Sequence, residues 1–127
     1  MKIGINGSGQ LAHPNLDAIV TDVEQSEVAG FASYWLAQTA LADSLAMLAI
    51  AGRTTSTIEL GTAVVPTWTR HPEIMAAGAL TAQAASNGRI VLGIGLAAVP
   101  PSAASASAHN AAASTRKCSE CWPACAL

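Results

Sequence analysis

The sequence predicts an α/β fold in which strands and helices alternate and the strands form a parallel sheet. The clearest indication lies mid-chain, where residues 58–65 are apolar and largely β-branched, as in a strand. Pro72 then favours a helix start, Gly88 favours the helix end, and residues 89–94 form an apolar run typical of a strand buried on both faces. A strand, a crossover helix and a second strand place the two strands parallel in one sheet.

The same alternation occurs earlier in the chain. Residues 2–5 and 31–37 are predicted strands, and residues 15–28 and 39–53 are predicted helices. Apolar residues recur every three to four positions in the first helix, which predicts one buried face. The order is therefore β-α-β-α-β-α-β with short loops, which is compatible with either a barrel or a doubly wound open sheet.

Composition and charge exclude several classes of partner. Six basic and eight acidic side chains among 127 residues give a formal net charge of −2. This charge does not predict a basic surface that would bind nucleic acid or anionic lipid. The apolar runs are shorter than the ~20 residues needed to span a bilayer, and the N-terminal residues carry no signal-peptide pattern. We therefore expect a cytoplasmic protein without nucleic-acid or membrane partners.

The composition changes at residue 97. Residues 97–127 are rich in Ala, Ser and Pro and nearly lack large aliphatic side chains, so we expect this tail to be disordered. The abrupt change also suggests out-of-frame translation of a GC-rich coding sequence. We accordingly divide the chain into a folded part, residues 1–96, and a tail, residues 97–127.

All three cysteines lie in this tail. Cys118, Cys121 and Cys125, together with His109, have spacings that resemble those of zinc ligands. The tail has no predicted strands to support a zinc knuckle. Loose thiols are the preferred interpretation, and no metal site is predicted.

A glycine motif follows the first predicted strand. The pattern Gly7-x-Gly9-x-x-Ala12 matches a loose dinucleotide-binding fingerprint. Pro14 interrupts the helix that should follow, and no acidic residue ends the second strand to hold a ribose. A small dinucleotide-binding domain is therefore the weakest of the alternatives, and a strand-to-helix loop is the simpler interpretation.

Five segments of residues 1–96, in their order and spacing, resemble the bacterial luciferase-like family of flavin- and deazaflavin-dependent oxidoreductases. The likeness is greatest to the branch that uses coenzyme F-420. The segments are Lys2-Ile-Gly-Ile5, Gly30-Phe-Ala-Ser-Tyr-Trp-Leu36, Ile58-Glu-Leu-Gly-Thr-Ala-Val-Val65, Thr69-Arg-His-Pro72 and Gly88-Arg-Ile-Val-Leu-Gly-Ile-Gly95.

The resemblance implies the first four βα units of a TIM (β/α)8 barrel. It also implies a cofactor, coenzyme F-420 or FMN, held at the C-terminal ends of the strands. A complete barrel of this type needs ~250 residues. We therefore expect a truncated barrel that is inactive by itself.

The candidate cofactor-binding residues follow from the resemblance, because they match positions at the strand ends. They are Gln38, Thr39, Thr62, Ala63, Val64, Gly93 and Gly95. Members of the family often carry a non-prolyl cis peptide at the end of the third strand, and the matching bond is Ala63–Val64, with an ordinary trans strand end as the alternative. The two glycines would permit either close approach of a cofactor or tight packing.

No catalytic residue is assigned. Gln38 and Thr39 stand where sugar-phosphate dehydrogenases of the family have Asp-His, so a histidine acid or base is missing at that position. The resemblance implies hydride transfer or monooxygenation of a small-molecule substrate, with the chemistry carried by the cofactor. The alternative is a non-catalytic fragment or a half barrel that dimerises or aggregates through its open sheet edge at residues 89–93.

Overall fold

A computed structural model describes residues 1–12, 15–39 and 41–96. The strands are β1 (Gly4–Asn6), β2 (Ser33–Leu36), β3 (Glu59–Thr62), β4 (Val65–Pro66), β5 (Ile90–Val91) and β6 (Ile94–Gly95). Four of them form one parallel sheet in the order β1-β2-β3-β5, and β4 and β6 form a second parallel pair. The helices are α1 (Leu16–Val28), α2 (Ser44–Thr54) and α3 (Pro72–Ala85), with a short 3-10 helix at Ser8–Ala12. The alternating order and the parallel pairing confirm the predicted α/β fold.

The hydrophobic core lies between the sheet and the helices. Tyr34 and Leu36 of β2 and Leu60 of β3 are fully buried against apolar side chains of α1 and α2. Alternate residues of a strand point to opposite faces, so Trp35 lies on the other face, where it is only partly buried. The helices therefore cover one face of the sheet.

Tyr34 explains the first glycine of the dinucleotide-like motif. Its hydroxyl donates to Asp22 Oδ2 of α1 at 2.6 Å. Burial, this hydrogen bond and the charge of Asp22 together raise the pKa of Tyr34 above its ordinary value. A Cβ atom at Gly7 would overlap the Tyr34 side chain, so close packing accounts for this glycine without a bound phosphate.

The predicted second helix began too early. Helix α2 starts at Ser44 rather than at Thr39, because Asp43 is its N-cap. The Asp43 carboxylate accepts hydrogen bonds from the backbone N–H groups of Leu45 at 3.0 Å and Ala46 at 3.4 Å. A capping carboxylate satisfies amides that have no partner inside the helix.

Two of the predicted strands are each divided in the structure. Residues 58–65 form β3 and β4, separated at Ala63–Val64, whose peptide bond is cis. Residues 89–94 were predicted as one strand, but β5 ends before Gly93 and β6 follows it. The division at Gly93 arises because the Thr62 hydroxyl, rather than a neighbouring backbone, binds its amide.

Glu27 joins the end of α1 to the segment that precedes β3. Its carboxylate accepts hydrogen bonds from the backbone N–H groups of Ser56, Thr57 and Ile58 and from the Thr57 hydroxyl. Partial burial raises the pKa of Glu27, but these hydrogen bonds outweigh it and hold the pKa at about 2. The carboxylate therefore stabilises the folded chain as an anion.

Arg89 makes a second connection at the same end of the sheet. Its Nη1 donates to Ile58 O at 2.7 Å and to Thr55 Oγ1 at 3.1 Å. Its Nη2 donates to Gly52 O at 2.9 Å and to Thr55 O at 2.8 Å. One guanidinium thus satisfies the C-terminal end of α2 and ties it to the starts of β3 and β5.

Several sequence predictions fall outside the described residues. The tail at residues 97–127 is among them, including His109, Cys118, Cys121 and Cys125. Within the described part of the chain, no helix combines the length and apolar character needed to cross a membrane.

Candidate functional site

The seven candidate residues all lie where strands of the two sheets end or are joined. Since parallel strands share one direction, their C-terminal ends meet at one edge, called the C-terminal edge below. Backbone hydrogen bonds join its segments: Gln38 N donates to Val64 O at 3.3 Å, and Val65 N donates to Gly93 O at 2.8 Å. The structure therefore brings the three candidate segments into direct contact.

Thr62 and Gly93 are joined by two hydrogen bonds. The Thr62 hydroxyl donates to Gly93 O and accepts from Gly93 N, both at 2.9 Å. Thr62 is buried, with 1% of its surface exposed. The Thr62 hydroxyl proton and one of its acceptor positions are therefore used in holding Gly93.

Ala63 and Val64 are the exposed members of the seven candidates. Both are exposed, and Val64 retains 37% of its surface area although it is a large aliphatic residue. A Cβ atom added at Gly95 would lie 2.8 Å from Val64 Cγ2, and one added at Gly93 would overlap the carbonyl oxygen of Thr62. Tight packing thus explains why neither position has room for a Cβ atom.

The Gln38 side chain makes most of its hydrogen bonds within its own loop. Its amide Nε2 donates to Thr39 O and Ala42 O, both at 2.8 Å. Its Oε1 accepts from Ser44 N at 3.0 Å and from Ser44 Oγ at 3.1 Å. All of the hydrogen-bonding groups of the amide are used, so Gln38 orders the loop between β2 and α2.

Arg70 joins the loop after β4 to the start of α2. Its Nη2 lies 2.8 Å from Asp43 Oδ2 and 3.4 Å from Gln38 Oε1. The Arg70 side chain is 19% exposed. Its charge is thus partly balanced by a carboxylate, and its geometry couples the loops that follow β2 and β4.

The end of β1 also belongs to the C-terminal edge, which sequence reasoning missed. Ser8 Oγ accepts from Ala37 N at 2.9 Å, and Asn6 Oδ1 accepts from Ser8 N at 3.0 Å. Short polar residues directly after a strand are the signal that could have identified them. Within residues 1–12, 15–39 and 41–96, no group of three or more His, Cys, Asp or Glu side chains could hold a metal ion.

A family model described as luciferase-like monooxygenase matches residues 2–121. The chain belongs to the luciferase-like monooxygenase family. The resemblance noted in residues 1–96 is thereby confirmed, and the match continues into the segment assigned to the tail. A search of curated proteins finds no match.

Solved structures share the fold over part of their length. The coenzyme F-420 dependent tetrahydromethanopterin reductase from Methanopyrus kandleri is 25% identical, with a TM-score of 0.62 over 74% of this chain and 26% of its own. The oxygenating constituent of 3,6-diketocamphane monooxygenase from Pseudomonas putida, solved with FMN, is 19% identical, with a TM-score of 0.72 over 83% of this chain and 32% of its own. Monooxygenase RslO1 from Streptomyces bottropensis is 21% identical, with a TM-score of 0.73 over 91% of this chain and 41% of its own.

These coverages show that the chain spans well under half the length of each of these solved proteins. The described strands and helices correspond to part of their TIM barrels. The fold class predicted from the sequence, βα units of a TIM barrel, is therefore confirmed.

Proposed function

We propose that the chain forms part of the cofactor site of a flavin- or F-420-dependent oxidoreductase that acts on a small-molecule substrate. The observation that carries the proposal is the exposed pair Ala63 and Val64 at the C-terminal edge. Family membership, the F-420-dependent reductase and the monooxygenase component solved in complex with FMN support the choice of cofactor.

The residues present fit the ring of such a cofactor. A flavin or deazaflavin ring is flat and largely apolar, and sites for such groups are apolar surfaces with a few polar contacts. Ala63 and Val64 supply the apolar surface, and Gly93 and Gly95 lie beside them without side chains. When bound, the ring supplies the hydride or oxygen chemistry, while the chain holds and orients it.

The contacts divide five of the seven candidates into two groups. Ala63, Val64 and the partly exposed Thr39 are available to a bound ring. The Thr62 side chain is hydrogen-bonded to Gly93, and the Gln38 side chain is hydrogen-bonded within the loop before α2. Their proposed role is therefore to support the site. No described residue is proposed as the catalytic acid or base.

We also propose that this chain does not turn over substrate by itself. It spans 26–41% of the three solved proteins described above. In TIM barrels, catalytic residues come from the ends of several different strands around the ring. We therefore expect this chain to bind the cofactor ring without catalytic turnover.

A fluorescence titration of the purified chain with FMN, riboflavin and coenzyme F-420 tests the proposal. We expect saturable binding at micromolar concentration without turnover, and we expect riboflavin to bind about as well as FMN because the proposed contacts are to the ring. A monodisperse, folded chain that binds none of the three compounds would contradict the proposal.

A second candidate is self-association through the sheet edges. Within the described residues, β1 pairs only with β2, and β5 pairs only with β3. Leu41 and Ile74 expose 70% and 64% of their surfaces. Unpaired strand edges and exposed apolar side chains favour association. Sedimentation velocity over a range of concentrations tests this candidate, and a monomer at all concentrations would rule it out.

A further inference from the structure

Val64 is supported from one side by a single glycine. A Cβ atom at Gly95 would lie 2.8 Å from Val64 Cγ2, 3.5 Å from Val64 Cβ and 3.7 Å from Val64 Cγ1. A Cβ contact of 2.8 Å is shorter than real Cβ atoms make. Val64 retains 37% of its surface area. The side chain at this position therefore lies directly on the backbone of residue 95.

The backbone at Gly95 is held in place by its neighbours. Gly95 pairs with Pro66 in the β4–β6 ladder, and its carbonyl accepts a hydrogen bond from Thr67 N at 2.9 Å. A methyl group added at residue 95 thus cannot be accommodated by moving that strand without breaking this pairing. The adjustment that remains is a movement of the Val64 side chain, by displacement or by rotation about χ1, away from residue 95.

Gly93 differs from Gly95 in what it packs against. A Cβ atom at Gly93 would overlap the carbonyl oxygen of Thr62, and its distance to Val64 Cγ1 would be an ordinary 3.7 Å. The obstacle at Gly93 is therefore backbone, whereas the obstacle at Gly95 is one side chain. The two glycines of the Gly-Ile-Gly sequence have separate roles.

We infer that Gly95 is a positioning residue. It determines how far the Val64 side chain projects from the C-terminal edge, and it does not itself contact the cofactor. This inference rests on the proposed function, in which Val64 supports the cofactor ring. A residue larger than glycine at position 95 pushes Val64 into the space of the ring. Removal of the two γ carbons of Val64 relieves this displacement.

Titrations with FMN and coenzyme F-420 on a double-mutant cycle test the inference. The variants are Gly95→Ala, Val64→Ala and Gly95→Ala/Val64→Ala. We expect Gly95→Ala to weaken binding by about tenfold and the double variant to bind as Val64→Ala does, since residues in contact give non-additive effects. The matched control is Gly93→Ala with and without Val64→Ala, where truncation of Val64 is expected to give no rescue.

The outcomes separate this inference from the proposed function. If the wild-type chain binds neither compound, the proposed function fails and the inference fails with it. If the wild type binds but Gly95→Ala binds equally well, or the two changes weaken binding independently, the inference alone is wrong. Should Gly95→Ala fail to fold, the double variant decides. A folded double variant that binds like Val64→Ala supports the inference, and an unfolded one contradicts it.

Discussion

The two ends of the parallel strands use their polar groups differently. At the N-terminal ends, Glu27 and Arg89 direct charged side chains at backbone groups of residues 52–58. At the C-terminal edge, the neutral side chains of Thr62 and Gln38 bond backbone groups, Arg70 pairs with Asp43, and Ala63 and Val64 remain exposed. We propose that the first end serves the stability of the fold and that the second binds the cofactor, because ligands bind at the C-terminal face of TIM barrels.

The largest effect on stability is expected for Arg89→Met. The change keeps much of the side-chain volume but leaves the carbonyls of Gly52, Thr55 and Ile58 without their donor. Unsatisfied buried groups cost about 1–3 kcal/mol each, so we expect a loss of about 3 kcal/mol or more in urea unfolding. Arg53→Met, at an exposed position of α2, is the control and should change little. Equal effects of the two changes would contradict the role given to Arg89.

A smaller and pH-dependent effect is expected for Glu27→Gln. The pKa of Glu27 is held at about 2 against an ordinary value of 4.5, so its contribution is complete above pH 4.5 and is lost as the pH falls towards 2. We expect Glu27→Gln to cost about 1–2 kcal/mol at pH 7 and to flatten the acid limb of the stability curve. Urea unfolding between pH 2 and 7 measures both effects. Glu24→Gln, on the same helix, should leave the acid limb steep.

Gln38→Ala tests the loop at the C-terminal edge. The substitution removes the hydrogen bonds that join Thr39, Ala42 and Ser44. Because this loop is partly exposed and water can replace some of these bonds, we expect a loss of about 1 kcal/mol. Hydrogen exchange should become faster at Ser44 N and stay unchanged at Ile58 N. Faster exchange at both Ser44 N and Ile58 N would mean that the two ends of the parallel strands are not independent.

The smallest effect on stability is expected at Val64. Val64→Ser changes an exposed side chain, so we expect the free energy of unfolding to shift by no more than about 0.5 kcal/mol. The same change should weaken FMN binding by about tenfold, because the apolar support for the ring is lost. Ile74→Ser, at an exposed site on α3, is the control for both measurements. Unchanged FMN binding in Val64→Ser would remove Val64 from the site.

Local signals predicted much of the fold. Pro72 at the start of α3 and Gly88 after its end are visible in the sequence, and both ends of this helix lie within two residues of the prediction. Asp43 was equally visible as an N-cap, but an apolar spacing that began near Thr39 concealed it. Capping residues therefore predicted helix ends better than hydrophobic spacing did.

Contacts between distant residues were beyond sequence reasoning. The break in the strand at Gly93 depends on the hydroxyl of Thr62, 31 positions earlier. Glu27 and Arg89 gave no local sign of their roles, because their partners lie about 30 residues away along the sequence. The strand ends that form the C-terminal edge could be located from the family resemblance. The hydrogen bonds of the Gln38 amide within its own loop could not be predicted from that resemblance.

The central claim is that the two ends of the sheet have separate roles, and a two-dimensional amide NMR titration with FMN tests it most directly. We expect chemical-shift changes at Thr39, Ala63, Val64 and Gly95, and no change at Ser56, Ile58 or Arg89. Changes centred on Ser56 and Arg89, or spread equally over both ends, would contradict the account.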